Sequence, residues 1–473
     1  MACGVDDPVS PGSKLSSAEP EPAGAHCAAG GFANHFGIDE NANGRLDPEE
    51  VASTTYTCAH GTLLREDAIA SGTVCLGGGT YVRSGHDAND NGFLEDPEIE
   101  NTVTVCQSDE LYRGDLKTSD FTTDASREHL SHVRIVTGDL LIDSDAPMPG
   151  LELVGGSFEL RTSKLVELPA LDRIAKNLIG PPPAILNGVG FKNGVLFKAP
   201  ALTTIGGNAQ LFSWEVGGIF SAPALTAVDG GFRLGGQVAT VDLGKLARVG
   251  RDLDFDLQAQ ALALPALKTV GGKVLVQGAI TALDLPALET TSGFSLYMSN
   301  VTSLTLPALK FAPTIVLSRS PVTSIEAPLV SGVKEVMLYG VPDLTVFDLP
   351  LVTEVDKLWM WKSANRSLDM FANLRSIKVL TLDKCMELVD LGGLDQLTSV
   401  GSLTITYNAK LASLTGIEHI ASLTGNLTIK NNAALTSLSG LAALTNVAGT
   451  ISIADNAVLP QAEVDAFLHR LGR

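Results

Sequence analysis

A proline returns on a 21-residue step through the middle of this chain, at Pro223, Pro265, Pro286, Pro307 and Pro328, with Gly244 filling the slot between the first two. The wording around each marker repeats: Ala222-Pro223-Ala224-Leu225, Leu264-Pro265-Ala266-Leu267, Leu285-Pro286-Ala287-Leu288, Leu306-Pro307-Ala308-Leu309. A fixed period of this size means one supersecondary unit stacked many times, each coil burying its apolar face on its neighbours. Such a chain displays chemistry on a flank and does not enclose it in a pocket. Hydrophobic residues make up 45% of the sequence but aromatics only 5%, so the core of the stack must be aliphatic.

The series extends in both directions. Pro149, Pro169 and Pro200 precede it, and Pro350 follows; beyond that the slot passes to Ala372, Asp395, Glu418 and Ala442 as the step lengthens. After each marker comes a short alternating run, such as Phe232-Arg233-Leu234 or Leu403-Thr404-Ile405. Period-two alternation puts the aliphatics inside and their neighbours on the outer face of a parallel sheet. Asn408, Asn432 and Asn456, with Cys385 in the same slot, follow the strands as turn residues whose side chains satisfy buried backbone. Cys385 is therefore expected to be a buried thiol with no nucleophilic role. Solenoid ends need covers. Thr123 or Asp124 marks the start of a short helix near the first coil, and Pro460 opens an amphipathic helix over 460–471 at the other end.

Gly401-Ser402-Leu403-Thr404-Ile405, Asn408, Leu411 and Leu414-Thr415-Gly416-Ile417 together resemble the receptor L-domain, the leucine-rich-repeat-like β-helix of growth-factor receptor ectodomains and of some bacterial surface lipoproteins. The likeness is strong over about 370–458 and looser over 135–370. It implies a right-handed parallel β-helix that binds partners through its sheet face and has no enzymatic activity. It transfers no ligand-contacting residue.

The first hundred residues carry different chemistry. Cys27 and Cys58 are 31 apart, as are Cys75 and Cys106, and two equal loops in one duplicated segment predict two disulfides and an oxidising compartment. Inside each frame lies an acidic twelve-residue loop, Asp39 to Glu50 and Asp87 to Glu98. Both match the calcium-loop pattern: side-chain oxygens at Asp39, Asn41, Asn43, Asp47 and Glu50, a backbone carbonyl from Arg45, and Gly44 at the sharp turn; then Asp87, Asn89, Asn91, Glu95 and Glu98, a carbonyl from Phe93, and Gly92. A hard cation needs six to eight oxygens, and this spacing curls them around one point. The loops resemble those of EF-hands, dockerins and thrombospondin-type repeats, though without an evident helix pair. The expectation is two structural calcium ions.

The expected organisation is a disordered tether over 1–26, calcium-loop repeats at 27–60 and 61–110, and the solenoid over 111–473. The fold class is mainly β, a parallel solenoid with short capping helices behind a small duplicated domain. Ala2-Cys3-Gly4 before a polar tract resembles the mature start of a bacterial lipoprotein, which makes Cys3 an expected lipidation site and the only route to a membrane. The expected location is extracellular or on the outer membrane. A net charge of −20 and the lack of a Lys/Arg cluster argue against nucleic acid. On the outer face, Trp359 and Trp361 alternate with inward Leu358 and Met360, with Met337 and Tyr339 one coil earlier and Tyr297 near that column. Such aromatics mark hot spots for a protein or glycan partner. The function expected is therefore non-enzymatic partner binding; the alternatives are a calcium-dependent β-helix polysaccharide lyase and a passive spacer.

Overall fold

The computed structural model describes residues 13–21, 31–39, 48–58, 62–71, 74–75, 78–89, 91–106, 110–145, 147–162, 164–180 and 196–473; at 13–21, 31–39, 55–58 and 214–215 it describes the backbone alone. The chain forms a parallel β-solenoid of about 15 turns with two short helices, preceded by two small antiparallel sheets. It divides into two compact units: one comprises 1–160, 170–179 and 204–208, the other 161–169, 180–203 and 209–473.

The first unit opens with the duplicated segment. Strands β1 (Ser13–Glu21), β2 (Gly31–Asp39) and β3 (Val51–Cys58) form one antiparallel sheet, with β2 in the centre. Strands β4 (Thr62–Ile69), β5 (Gly79–His86) and β6 (Ile99–Val105) form the second with the same order. Each repeat thus begins with a strand that precedes its first cysteine. That corrects the expected tether and repeat boundary, since Ser13–Glu21 is paired along its length with β2. Composition misled here because β1 is an edge strand: Pro20 can sit there without breaking a ladder, and β2 supplies the order that β1 lacks alone. Residues 1–12 and 22–30, which hold Cys3 and Cys27, lie outside the described residues.

The same unit then enters the solenoid. Leu116, Leu140, Phe158 and Leu178 stack in parallel register, all buried. A second parallel sheet runs from Leu111–Tyr112 through Ile135–Val136, Leu153–Val154 and Arg173–Ile174 to Thr204–Ile205. Helix α1 (Asp124–His132) is capped by Thr123, whose hydroxyl accepts from the Ser126 N–H at 3.1 Å, and it buries Leu130.

In the second unit the main sheet runs in parallel register from Ala209–Ser221 to Ile451–Ala454. Two inward columns form its wall of the core, one through Val336, Leu358, Leu380 and Leu403, the other through Leu338, Met360, Leu382 and Ile405. The Leu-Pro-Ala-Leu phrase is a tight turn. The Leu267 N–H donates to the Leu264 carbonyl at 3.1 Å, and both leucines are buried. Proline fits the second turn position because its fixed φ is already correct there and no N–H is needed. The bonds Leu288 to Leu285, Leu309 to Leu306, and Leu246 to Leu243 across Gly244 repeat the geometry.

The coil beyond each main strand is held by a polar ladder. The Asn408 side chain accepts from the Cys385 N–H at 2.8 Å and donates to the Leu382 carbonyl at 3.0 Å. Asn432 repeats the pattern, accepting from the Asn408 N–H at 3.0 Å and donating to the Ile405 carbonyl at 3.0 Å; Asn456 does so for Asn432 and Ile429. Asn408 and Asn432 are fully buried. Ser299 and Ser320 occupy the same slot in earlier coils, with hydroxyls 3.1 Å apart. Just before each ladder residue the chain turns through the left-handed region at Met298, Arg319, Gly340, Lys362, Lys384, Tyr407, Asn431 and Asp455.

At the far end, α2 (Gln461–Arg470) buries Val464 and Phe467. Its Glu463 accepts from the Leu438 N–H at 2.7 Å, and Arg470 donates to the Leu441 carbonyl at 2.8 Å, so the helix receives groups that a further coil would otherwise take. Replacing Asn432 by Ala leaves the Asn408 N–H and the Ile405 carbonyl buried without partners, and the expected cost is about 3 kcal/mol. A fall in the urea midpoint of the Asn432→Ala variant with an unchanged slope measures it.

Candidate functional site

Cys75 and Cys106 form a disulfide with Cα atoms 5.3 Å apart, and the acidic loop of the second repeat joins β5 to β6 within that frame. Asp87 is buried; its two carboxylate oxygens accept from the N–H groups of Asn91 at 3.0 Å and Gly92 at 2.7 Å. Asn89 Oδ1 takes the Asn91 N–H at 3.0 Å, and Asn91 Oδ1 takes the Phe93 N–H at 2.8 Å. The amide nitrogens of Asn89 and Asn91 both reach Glu95, each at 3.2 Å. Glu98 accepts from the Ala88 N–H at 2.9 Å with one oxygen and from the Glu95 N–H at 3.0 Å with the other, closing the loop end to end. Gly92 sits at φ +82°, with open space where a Cβ would stand, so it is needed for its conformation and not for room. Leu94 is buried beneath the loop, while Phe93 lies on the surface, its carbonyl being the part the motif uses.

Asp87, Asn89, Asn91, Glu95 and Glu98 are thus drawn into one hydrogen-bonded ring. Among the described residues no three His, Cys, Asp or Glu side chains are gathered closely enough to hold a metal by themselves, so a cation here would draw on amide and carbonyl oxygens as well. A hard oxygen-seeking cation accepts such a mixed set. In the first loop Asn41, Asn43, Arg45 and Asp47 lie outside the described residues, and Asp39 is described in its backbone alone. Glu50 is buried at the end of the 3-10 turn Pro48–Glu50. The Cys58 backbone belongs to β3.

The strands flanking the second loop are bonded into the first coils. Val82, Val103 and Val105 share one apolar cluster with Leu111, Ile135 and Leu153. His86, next to Asp87, meets Glu100 at 2.6 Å, and the other Glu100 oxygen meets the buried Arg173 at 2.7 Å. Arg134 donates to the Thr104 carbonyl at 3.1 Å and pairs with Glu152 at 2.7 Å. The second repeat and the start of the solenoid therefore form one core.

The outer face of the second unit carries the aromatic set where alternation put it. Leu358 and Met360 are fully buried, and Trp359 and Trp361 alternate with them on the outside. Met337 pairs in register with Trp359, and Tyr339 with Trp361; Tyr297 lies two rungs earlier in the Tyr339 column. The Tyr339 ring meets Trp359 edge-on at 5.3 Å and Trp361 at 6.5 Å. Burial pushes the Tyr339 phenol above its ordinary value, with nearby Glu335 adding to it.

Two groups on this face escaped the sequence reading. Lys357, Lys362 and Lys384 lie over the rings of Trp359, Trp361 and Tyr407 at 5.1, 4.2 and 5.4 Å. For Lys362 and Lys384 the available signal was the residue just before each ladder position, which alternation leaves unassigned; Lys357 lies within the strand, on the same alternation as Trp359. Asp254 and Asp256 also point outward, flanking buried Phe255. Burial holds the Asp254 carboxyl above the usual carboxylate range, although Arg233 at 3.2 Å opposes it. Cys385 is buried and free, its thiol pushed up to about 12 by burial, in keeping with a core role.

Residues 14–58 and 62–106 each match the model of a domain of unknown function, DUF7151. The two matches have the same length and begin at the first strand of each sheet. Comparison with curated proteins gives no match for the chain.

Burial pushes the Glu100 carboxyl up, but its bonds to Arg173 and His86 outweigh this and hold it below the ordinary glutamate value. A carboxyl depressed by folding stabilises the fold above its unfolded value, and that contribution is lost as pH falls through the folded value. Acidification below the usual glutamate range should therefore lower the melting temperature of the wild-type protein more steeply than that of Glu100→Gln, as followed by circular dichroism across a pH series.

Proposed function

We propose that this protein is a non-enzymatic, exported surface protein, lipid-anchored through Cys3, that binds a protein or glycan partner on the outer sheet face of its solenoid. Calcium in each N-terminal repeat braces the attached coils. The observation that carries this reading is the set of Met337, Tyr339, Trp359 and Trp361 gathered on two adjacent rungs and partly exposed, in a chain with only 5% aromatic residues. Rigid strands hold these rings, so little ordering is needed when a partner docks. The likeness of residues 370–458 to receptor L-domains supports the same use of the face. The calcium role is supported by the mixed oxygen ring around Asp87 and by the repetition of the motif in the first segment. With the loop ends tied by the disulfide and by Glu100, an ion there stiffens and has little to open.

A second reading draws on Asp254 and Asp256. Outward acids on a parallel sheet are the groups that a calcium-dependent polysaccharide lyase would use, and burial raises the proton affinity of Asp254. Release of unsaturated sugars from acidic polysaccharides by the wild-type protein, and not by Asp254→Asn, would establish that reading in place of the first.

Isothermal titration of the full chain with calcium should give two sites, with one lost in Asp39→Ala and one in Asp87→Ala. At a hundredfold excess over the dissociation constant, the gain in stability per site is about 2.7 kcal/mol. A flat titration removes calcium from the account. Glycan arrays and pull-downs with the Trp359→Ala/Trp361→Ala double variant test the binding face: a partner retained by the wild type and lost by the variant places the site there, and one retained by both moves it elsewhere.

A further inference from the structure

The reading of the outer face as a binding surface leaves its ligand open, and the lysines narrow it. Lys357, Lys362 and Lys384 have no carboxylate within ion-pair distance among the described residues; each instead lies over an aromatic ring. Glu335 stands opposite Lys357 in register, beyond ion-pair distance, and three other nearby acids are engaged with other groups. Asp356 pairs with Lys378 at 2.9 Å, Glu387 with Lys410 at 2.6 Å, and Asp383 accepts from the Thr406 hydroxyl at 2.8 Å. In a chain of net charge −20, these three lysines place their ammonium groups at aromatic rings and not at carboxylates. Lys362 and Lys384 occupy the same left-handed position on consecutive rungs, about 4.8 Å apart by the spacing of paired strands. Between them, Tyr407 and Asn431 opens a shallow depression of about 640 Å³.

Resting on that reading, we propose that the shelf made by Tyr339, Trp359 and Trp361 with Lys357, Lys362 and Lys384 binds an anionic polysaccharide laid along the stack of rungs. Its sugar faces lie on the indole and phenol rings, whose flat apolar surfaces suit the C–H face of a pyranose. Its carboxylates or sulfates meet the ammonium groups, which exchange a ring for a charged oxygen, a stronger partner. The rung spacing is close to the length of one sugar residue, so a linear polymer meets the same kind of contact at each step. The outward hydroxyls of Thr381, Thr404 and Thr406 supply partners for sugar hydroxyls on the adjoining rungs. A protein hot spot would instead want a desolvated apolar centre ringed by groups that exclude water; here ammonium groups stand among the rings.

The test uses the full chain at fixed calcium and four polymers: hyaluronan, chondroitin sulfate, dextran sulfate and neutral dextran. Titration calorimetry should show at least one polyanion binding with an affinity that falls as salt rises, and no binding of dextran. The Lys357→Gln/Lys362→Gln/Lys384→Gln variant should bind roughly tenfold more weakly, with a flatter salt dependence. Trp359→Ala/Trp361→Ala should lose binding while both variants keep the wild-type circular dichroism melt. Failure of all three polyanions to bind overturns the proposal, as does a polyanion that binds the lysine variant with unchanged affinity and salt slope. A neutral glycan or a protein lost by the tryptophan variant and indifferent to the lysine variant also overturns it, while leaving the outer face as the binding surface.

Discussion

A stacked coil has no interior of its own. Every backbone group that turns the chain from one strand to the next is buried beneath a neighbour, and each such group needs a partner. The strands solve this by pairing in register, but the corners have no strand to pair with. The asparagines fill that gap: one side chain accepts from an N–H and donates to a carbonyl of the coil before it, while its own N–H goes to the asparagine of the next coil, so each rung is fastened to those on both sides. The serines of earlier coils meet the same need with a shorter reach, and Cys385 gives its backbone N–H to Asn408 while its thiol reaches the Met360 carbonyl of the coil before it at 3.7 Å. Tight Leu-Pro-Ala-Leu turns then direct two leucines inward per coil, and the aliphatic columns follow from that regularity.

The N-terminal repeats show a second way of using the same end of the stack. The second repeat shares an apolar cluster with the first coils; its Glu100 pairs with Arg173 and its Thr104 carbonyl accepts from Arg134, both solenoid residues. A disulfide closing a 31-residue loop holds the frame around the acidic ring. The ring is thus built on elements that cannot shift independently, which is the condition for a loop that crowds three carboxylates together to hold its shape.

Much of this was legible because repetition amplifies a weak signal. A single Leu-Pro-Ala-Leu means little; four on one step define a coil, and alternation then assigns Trp359 and Trp361 outward without further help. The sharp turn of the acidic loop was legible for the same reason, since Gly92 takes the left-handed conformation that its place in the repeated motif requires. The strand Ser13–Glu21 was not legible. Its residues are those of a tether, and only its pairing with β2 makes it a strand. Lys362 and Lys384 were hidden too, because period-two alternation ends at the last strand residue and says nothing of the left-handed position that follows. Arg173 likewise looks like any arginine until the fold buries it against Glu100 of the repeat.

That left-handed position has a consequence for how such a protein diversifies. Methionine, arginine, lysine, tyrosine, asparagine and aspartate all take it on successive coils, each accepting about 1 kcal/mol of backbone strain that glycine would spare. The neighbouring rungs dictate the conformation, so the side chain there is exempt from the demands of folding. The edge of the sheet therefore behaves as a line of type that can be reset one character at a time, letting new recognition evolve while the core stays untouched.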